Sequence, residues 1–161
     1  MLVEYPATRQ YLLSALEAAP DIFDQLLCQF SEEEVDLHPD AARFSVREII
    51  AHLADWDEVF LARMSRTLAE NEPVFEDQDE GQRAVDGDYA GTNIEEQSRL
   101  FRQRRALMVE FARSLTPAQW QLHCVHPHLG RASLEAITLI IPLHDTYHIQ
   151  QLMEWRRARA K

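Results

Sequence analysis

Glycine and cysteine are both scarce in this sequence, and each scarcity narrows the choice of structure. Only four glycines and two cysteines occur among the 161 residues. Few glycines, together with long runs rich in Ala, Leu, Glu, Gln and Arg, favour helix over a turn-rich β fold. Cys28 and Cys124 do not make a disulfide framework in a chain of this length, so we expect free thiols and a cytoplasmic protein.

Positive charge and long apolar runs are also lacking. The chain carries 16 Lys and Arg against 27 Asp and Glu, a formal net charge of −11. Nucleic-acid backbones and anionic membranes are bound through positive surfaces, so we expect neither as a partner. The longest apolar stretch, AITLIIPL, is far too short to span a bilayer. The first residues, MLVEYPATRQ, lack the basic and apolar regions of a signal peptide.

What the chain does contain is helical pattern, over most of its length. Four long segments qualify, and they cover residues 5–30, 45–69, 92–114 and 133–157. We expect the first helix to be interrupted near Pro20, because proline tolerates only a first-turn position. With no strand pattern between them, the four segments predict an all-α four-helix bundle and a single domain over residues 1–161.

Local signals mark the helix starts and the connections. Capping boxes are predicted at Ser45 with Glu48, and in the segment Thr92-Asn93-Ile94-Glu95. Residues 71–91 hold three of the four glycines and many acids, so we interpret them as a long acidic crossover between the second and third helices, partly mobile. TPAQW (116–120) predicts a short helical turn, and HCVHPHLGR (123–131) reads as a loop.

The stretch HDTYHIQQ (144–151) places two histidines four residues apart on the fourth helix. At about 100° per residue, His144 and His148 fall in the middle of an apolar stripe. That stripe is formed by Leu134, Ile137, Ile141, Leu152 and Trp155. The spacing brings two ring nitrogens to one point, as helical zinc sites require. The alternative is a buried pair satisfied by hydrogen bonds, without a metal.

A third histidine lies on the second helix. His52 is at the flank of that helix's apolar stripe, beside Trp56, where it can lean into a groove between helices. Three neutral imidazoles suit zinc, nickel or a similar divalent ion, and they leave a coordination position open. An open position is what a catalytic metal needs.

Two aspartates lie close to these histidines in sequence. Asp57 is on the apolar side of the second helix, where it either supports the site as a hydrogen-bond acceptor or general base, or is a partly exposed residue at one end of the bundle. The general exposure of aspartate favours the second interpretation. Asp145 follows His144 as the Glu of H-E-x-x-H peptidases follows its histidine, but its side chain is shorter. We expect Asp145 to orient a ligand histidine.

Three further features bear on the site. Pro142, two residues before His144, is expected to kink the fourth helix and aim the pair. Tyr147 either donates a hydrogen bond into a pocket or fills the core. The cluster His123, Cys124, His126 and His128 matches no zinc spacing, so we expect no independent metal site there.

Three segments resemble the DinB-like superfamily: FSVREIIAHLADWDEVFLARM (44–64), VHPHLGR (125–131) and HDTYHIQQL (144–152). The resemblance covers nearly the whole chain, and a His in the second helix combined with H-D-x-x-H-x-x-Q in the fourth is its most specific part. It implies an up-up-down-down four-helix bundle, often dimeric, with a metal held by three histidines. Carried over to this sequence, the implied ligands are His52, His144 and His148. Asp57 falls where many members carry an acid, and Asp145 matches the D of the motif.

Related members include bacillithiol-dependent transferases and a mycothiol-dependent maleylpyruvate isomerase, in which a metal activates a low-molecular-weight thiol. Metal coordination deprotonates a thiol, so this chemistry suits the site. Our leading hypothesis is a homodimeric thiol transferase that joins such a thiol to a small electrophile at a zinc or nickel ion. One alternative is a metal-dependent hydrolase assisted by Asp57 or Asp145. Another is a non-catalytic stress or binding protein with structural histidines.

Overall fold

The computed structural model describes residues 6–158 of the chain. Its regular structure consists of α1 (Pro6–Leu27), α2 (Val46–Ala69), α3 (Glu80–Asp86), α4 (Ile94–Ser114), β1 (His123–His126), β2 (Gly130–Ser133) and α5 (Leu134–Ala158), with 3-10 turns at Tyr89–Gly91 and Gln119–Gln121. The four long helices pack into a bundle, so the predicted fold class is confirmed. Every helix in this range is too short or too polar to cross a membrane.

Side-chain contacts give the relative direction of α1 and α4. Glu17 pairs with Arg113, and Asp24 pairs with Arg102. Residue numbers therefore rise along one helix as they fall along the other, so α1 and α4 are antiparallel.

α2 and α4 run in the same direction. Near the start of both helices, Arg47 donates a 2.8 Å hydrogen bond to the carbonyl oxygen of Thr92. Further along both, Arg105 donates to the carboxylate of Asp57. Residue numbers rise in the same direction along both helices, so these neighbouring helices are parallel.

α5 runs opposite to α2. The indole of Trp155 donates a 2.9 Å hydrogen bond to the carbonyl of Phe44, just before α2 begins, whereas His144 meets His52 further along α2. The bundle is therefore up-down-down-up, and the up-up-down-down order implied by the resemblance is wrong.

Residues 70–93 join the parallel neighbours α2 and α4. Both helices start at the same end of the bundle, so after α2 the chain must run back to the end at which α2 began. α2 has 24 residues, so this return covers about 36 Å. On the way it forms α3 and a 3-10 turn, both tied to α2 through one residue. Arg83 donates two 2.7 Å hydrogen bonds to the carboxylate of Asp55, and the hydroxyl of Tyr89 donates one of 2.6 Å. The mobility expected for this connection stays a prediction.

α1 continues through Pro20, so the predicted interruption is wrong. The predicted start at Tyr5 lies outside the described residues, and the helix ends at Leu27 rather than near Phe30. A proline inside a helix costs about 3 kcal/mol, but burying a single Leu or Phe contributes about 1.5–3 kcal/mol. α1 buries four apolar side chains, to 3% exposure or less, on the two sides of the proline: Leu12, Leu16, Ala19 and Phe23.

A short antiparallel hairpin, β1–β2, stands where the sequence predicted a loop. His123 pairs with Ser133 and His126 with Gly130, and Gly130 takes the positive φ of 65° at the turn. The buried side chains of the hairpin, Cys124 and Ala132, pack in the core. Strands of four residues are too short to show a clear alternating pattern, which is why the sequence analysis missed them.

The predicted capping box at the start of α2 is confirmed. The Ser45 amide donates a 2.7 Å hydrogen bond to the Glu48 carboxylate, and the Glu48 amide donates one of 3.3 Å to Ser45 Oγ. α4 begins one residue later than predicted. Asn93 rather than Thr92 is its N-cap, and Asn93 Oδ1 accepts a 2.9 Å hydrogen bond from the Glu96 amide.

We expect Ser45→Ala to lower the free energy of unfolding by about 1 kcal/mol, because it leaves an amide at the start of α2 without its cap. Urea denaturation followed by circular dichroism measures the change. Ser14→Ala, an exposed substitution in the middle of α1, is the control and should be neutral or slightly stabilising. Equal effects from the two substitutions would contradict the role of the cap.

Candidate metal centre

Two helices of the bundle bring three histidines together in its interior. His52 lies in the first half of α2, and His144 and His148 lie one turn apart on α5. His52 is fully buried and His148 is 4% exposed, while His144 lines a cavity. The sequence placed His52 only at the flank of an apolar stripe, and the structure turns its ring fully into the core.

The ring nitrogens of the three histidines converge. His52 Nε2 and His144 Nε2 lie 2.9 Å apart, and His144 Nε2 and His148 Nε2 lie 3.3 Å apart. One ligand atom from each residue lies within 4.8 Å of the others. Nitrogens that share a tetrahedral ion at 2.0–2.1 Å are separated by about 3–3.5 Å. The spacing therefore fits one divalent ion, and within residues 6–158 no other group of histidine, cysteine and carboxylate side chains has this property.

All three imidazoles are neutral at pH 7. Burial lowers the pKa of His144 to about 4 and that of His148 to about 3. Burial and the two neighbouring histidines also lower the pKa of His52 well below its usual value. Neutral imidazoles are the form that binds a metal, so the site needs to lose no proton from these rings before it accepts an ion.

Gln151 holds the ring of His148 in a fixed orientation. His148 Nδ1 donates a 3.1 Å hydrogen bond to Gln151 Oε1, and Gln151 Nε2 donates one of 3.0 Å to the carbonyl of Phe44. Because the Nδ1 atom carries the proton, the lone pair of Nε2 points to the other histidines. Sequence reasoning missed Gln151, although its position three residues after His148 was a usable signal.

The back of the site is aromatic. The His52 ring packs against the rings of Phe44, Trp56 and Tyr89, with centroids 5.1, 5.6 and 6.3 Å away. His52 Nδ1 is buried, and the described residues offer it no hydrogen-bond partner. A dry, apolar wall of this kind strengthens electrostatic interactions with any ion bound in front of it.

Arg105 of α4 binds both nearby aspartates below the histidines. It donates two hydrogen bonds of 2.9 Å to Asp57 and two of 2.9 and 2.6 Å to Asp145. The three residues are 1%, 1% and 3% exposed. The interpretation of Asp57 as partly exposed is therefore wrong, since a bidentate cation satisfies it in the core. Asp145 accepts its hydrogen bonds from Arg105, and among residues 6–158 no hydrogen bond joins it to a histidine, so its expected role in orienting a ligand histidine stays a prediction.

The charges of this triad are coupled. Burial raises the pKa of Asp57 to about 6, with Arg105 opposing the shift. Burial lowers the pKa of Arg105, but the two carboxylates outweigh this effect and raise it above its usual value. At pH 7 Arg105 is therefore charged, and most of Asp57 is ionised, beside three neutral rings. Catalytic roles for the two aspartates stay predictions.

A cavity of about 410 Å³ opens in front of His144 and His148. Its remaining wall residues come from the chain before α2, from the start of α3 and from α5: Ala42, Arg43, Phe44, Glu80, Gly81, Tyr147 and Gln151. Tyr147 is 52% exposed, so it lines this cavity and does not fill the core. The guanidinium of Arg43 lies 5.6 Å from the Tyr147 ring centre. A small molecule in the cavity would reach a fourth position next to the histidines.

The loop histidines take other partners. His126 Nε2 lies 3.1 Å from the buried guanidinium of Arg63, and His128 lies 2.9 Å from Asp77. α5 continues through Pro142, and the kink expected there stays a prediction.

We expect Arg105→Met to lower the free energy of unfolding by about 3–5 kcal/mol, because it leaves two carboxylates buried without a partner. Chemical denaturation at pH 7 measures the loss. Arg102→Met on the same helix removes an exposed arginine that pairs with exposed Asp21 and half-buried Asp24, and this control should cost about 1 kcal/mol or less. Similar losses for both variants would show that the buried triad contributes no more to the free energy of unfolding than an exposed ion pair does.

The metal-free protein should lose stability as the pH falls below about 6.5. The unfolded histidines then bind protons that the folded ones exclude, and each contributes up to about 1.4 kcal/mol per pH unit. Folding raises the pKa of Asp57 to about 6, so the folded protein binds a proton there as the pH falls. This stabilises the folded state and offsets the loss from one of the three histidines. Urea titrations in EDTA between pH 7 and 5 test this. His144→Phe should reduce the slope, and a flat profile in the unsubstituted protein would contradict the burial of neutral rings.

Comparison with known proteins identifies the family. The model of the DinB superfamily matches residues 15–152. A protein of Oceanobacillus iheyensis named "Putative metal-dependent hydrolase OB0782" is 24% identical over 140 residues, 87% of this chain and 81% of its own. The solved structure of YfiT from Bacillus subtilis, called a "probable metal-dependent hydrolase with an unusual four-helix bundle topology", superposes with a TM-score of 0.90 at 20% identity, over 97% of this chain and 90% of its own. The chain belongs to the DinB superfamily.

Proposed function

We propose that this protein is a metal-dependent enzyme that transfers a low-molecular-weight thiol to a small electrophile. The observation that carries the proposal is the convergence of three neutral imidazoles beside an open cavity. His52, His144 and His148 would hold the ion, and zinc or nickel suits an all-imidazole set. A bound divalent ion would lower the pKa of a thiol and favour its nucleophilic thiolate form at neutral pH.

The surrounding residues support small-molecule chemistry at this site. The cavity of about 410 Å³ lies in the size range of ligand pockets. Gln151 holds the ring of His148, and Phe44 and Trp56 exclude water from the back of the site. Catalytic metal sites differ from structural ones in leaving a ligand position free, and a three-histidine set next to a cavity does so.

A metal-dependent hydrolase is the second candidate, and the names of the similar proteins from Oceanobacillus iheyensis and Bacillus subtilis favour it. In this reaction water would take the place of the thiol as the nucleophile. Hydrolysis benefits from a general base near the water. Asp57 and Asp145, the two acids that the sequence suggested for this role, are both bound to Arg105.

Removal of any one proposed ligand should weaken binding of Zn²⁺ and Ni²⁺ by more than about 100-fold, since loss of an outer partner alone costs about 10- to 100-fold. Isothermal titration calorimetry of His52→Ala, His144→Ala and His148→Ala tests this. Gln151→Ala should fall within the smaller range. His128→Ala, an exposed histidine of the hairpin turn, is the matched control and should bind as the unsubstituted protein does. Ions bound equally by all variants would place the metal elsewhere.

The two candidate reactions separate by their dependence on thiol. The Zn²⁺- or Ni²⁺-loaded protein is offered a panel of small electrophiles and activated esters, with and without 2-mercaptoethanol and L-cysteine. Thiol transfer predicts thioether formation above the uncatalysed rate, lost in His144→Ala. Ester cleavage that needs no thiol would support the hydrolase. Loaded protein that does neither would support a non-catalytic role.

We also propose a cytoplasmic homodimer. The two cysteines are free thiols in the structure, which suits a reducing compartment. On α5, Leu143 is 70% exposed and Tyr147 is 52% exposed, which supports apolar contact with a second copy. Light scattering after gel filtration measures the mass, and a monomer at micromolar concentration would contradict the dimer.

A further inference from the structure

Glu80 is the carboxylate that lines the cavity in front of the histidines. It is the first residue of α3, and its side chain shares the cavity wall with His144 and His148. Arg43 and Tyr147 line the same cavity. Within residues 6–158 no hydrogen bond or ion pair engages the Glu80 carboxylate, so its oxygens are free to bind a proton from a molecule in the cavity.

The other two acids near the site are not available for this task. Asp57 and Asp145 are buried, are absent from the cavity wall and accept all four hydrogen bonds from Arg105. Neither lies where a molecule in the cavity could reach it, and on taking a proton either one would give up hydrogen bonds from Arg105. Glu80 faces no such cost.

The structure also holds Glu80 in place. Asp79, just before it, caps α3 by accepting a 2.9 Å hydrogen bond from the Gln82 amide. One turn further on, Arg83 makes its two 2.7 Å hydrogen bonds to Asp55 of α2. These contacts fix the start of α3 against the helix that carries His52.

The charges around Glu80 favour uptake of a proton. Partial burial raises its pKa above the usual value, Asp77 and Asp79 raise it further, and His128 opposes them. A carboxylate with a raised pKa, facing a cavity, is a better proton acceptor near neutral pH than an ordinary glutamate.

We propose that Glu80 is the general base of this site and takes the proton of the incoming thiol. The inference rests on the proposed thiol transfer. A Glu80 carboxylate oxygen accepts the proton, the S–H bond breaks, and its electron pair stays on sulfur. The sulfur then forms a bond to the electrophilic carbon while the bond from that carbon to the leaving group breaks, and its electron pair departs with the leaving group. Glu80 passes its proton to the leaving group or to water. No oxidant or reductant takes part.

The test follows thiol binding directly and does not need the natural electrophile. Protein loaded with Co²⁺ is mixed in a stopped-flow instrument with 2-mercaptoethanol, and the sulfur-to-metal charge-transfer absorption reports the thiolate. We expect Glu80→Gln to slow its appearance about 100-fold while the affinity for Co²⁺ is unchanged. The rate in the unsubstituted protein should fall on acidification as Glu80 is protonated, and this fall should be smaller in Glu80→Gln. Glu80→Asp should recover part of the rate.

Glu76→Gln is the matched control. It makes the same change of charge four residues away, at an exposed side chain outside the cavity, and should keep the unsubstituted rate. A Glu80→Gln rate within twofold of the unsubstituted rate, with the same pH dependence, overturns the role of Glu80 and leaves thiol transfer intact. Absence of the charge-transfer band in the Co²⁺-loaded unsubstituted protein overturns both.

Discussion

The hydrogen bonds from Arg105 to Asp57 and Asp145 are the interaction on which this structure depends most. They join α4 to α2 and α5, the two helices that carry the histidines. Each of the three groups would be costly in the core alone, and together they are satisfied. Since Asp145 directly follows His144, the same cation that pairs with both carboxylates also limits how far α2 and α5 can move apart. Arg105, which makes no hydrogen bond to the imidazoles, thus helps to hold together the two helices that carry them.

The histidine cluster itself works against stability. Three rings kept neutral by burial contribute no charge pairing, and their Nε2 atoms lie within hydrogen-bond distance only of one another. Departures from the rules of core packing gather at functional sites. Here the departure has a clear chemical use, because atoms that have no better partner inside the protein are available to an ion.

Much of this arrangement is readable from the sequence, and its failures have physical causes. The helices and the Ser45 cap follow from periodicity and local chemistry, and the resemblance to the family implied the meeting of His52 with His144. Arg105 could not be found in this way, because an arginine in a helix is exposed by default and only the fold brings two acids to it. The direction of the helices was missed for a similar reason. It depends on whether the connection of residues 70–93 brings the chain back to the end of the bundle at which α2 begins, and the sequence of that connection does not show this. The two strands of the hairpin, His123–His126 and Gly130–Ser133, were too short to leave an alternating pattern.

The parallel packing of α2 and α4 has an evolutionary consequence. It obliges the chain to carry a long return segment, and that segment places Glu80 and Gly81 on the wall of the cavity. The helices that hold the histidines and the stretch that shapes the space before them are therefore different parts of the polypeptide. Connecting segments tolerate insertion and replacement far better than packed helices do. Descendants of such a chain can acquire new substrates by exchanging one surface stretch, while the ion-binding framework is inherited unchanged.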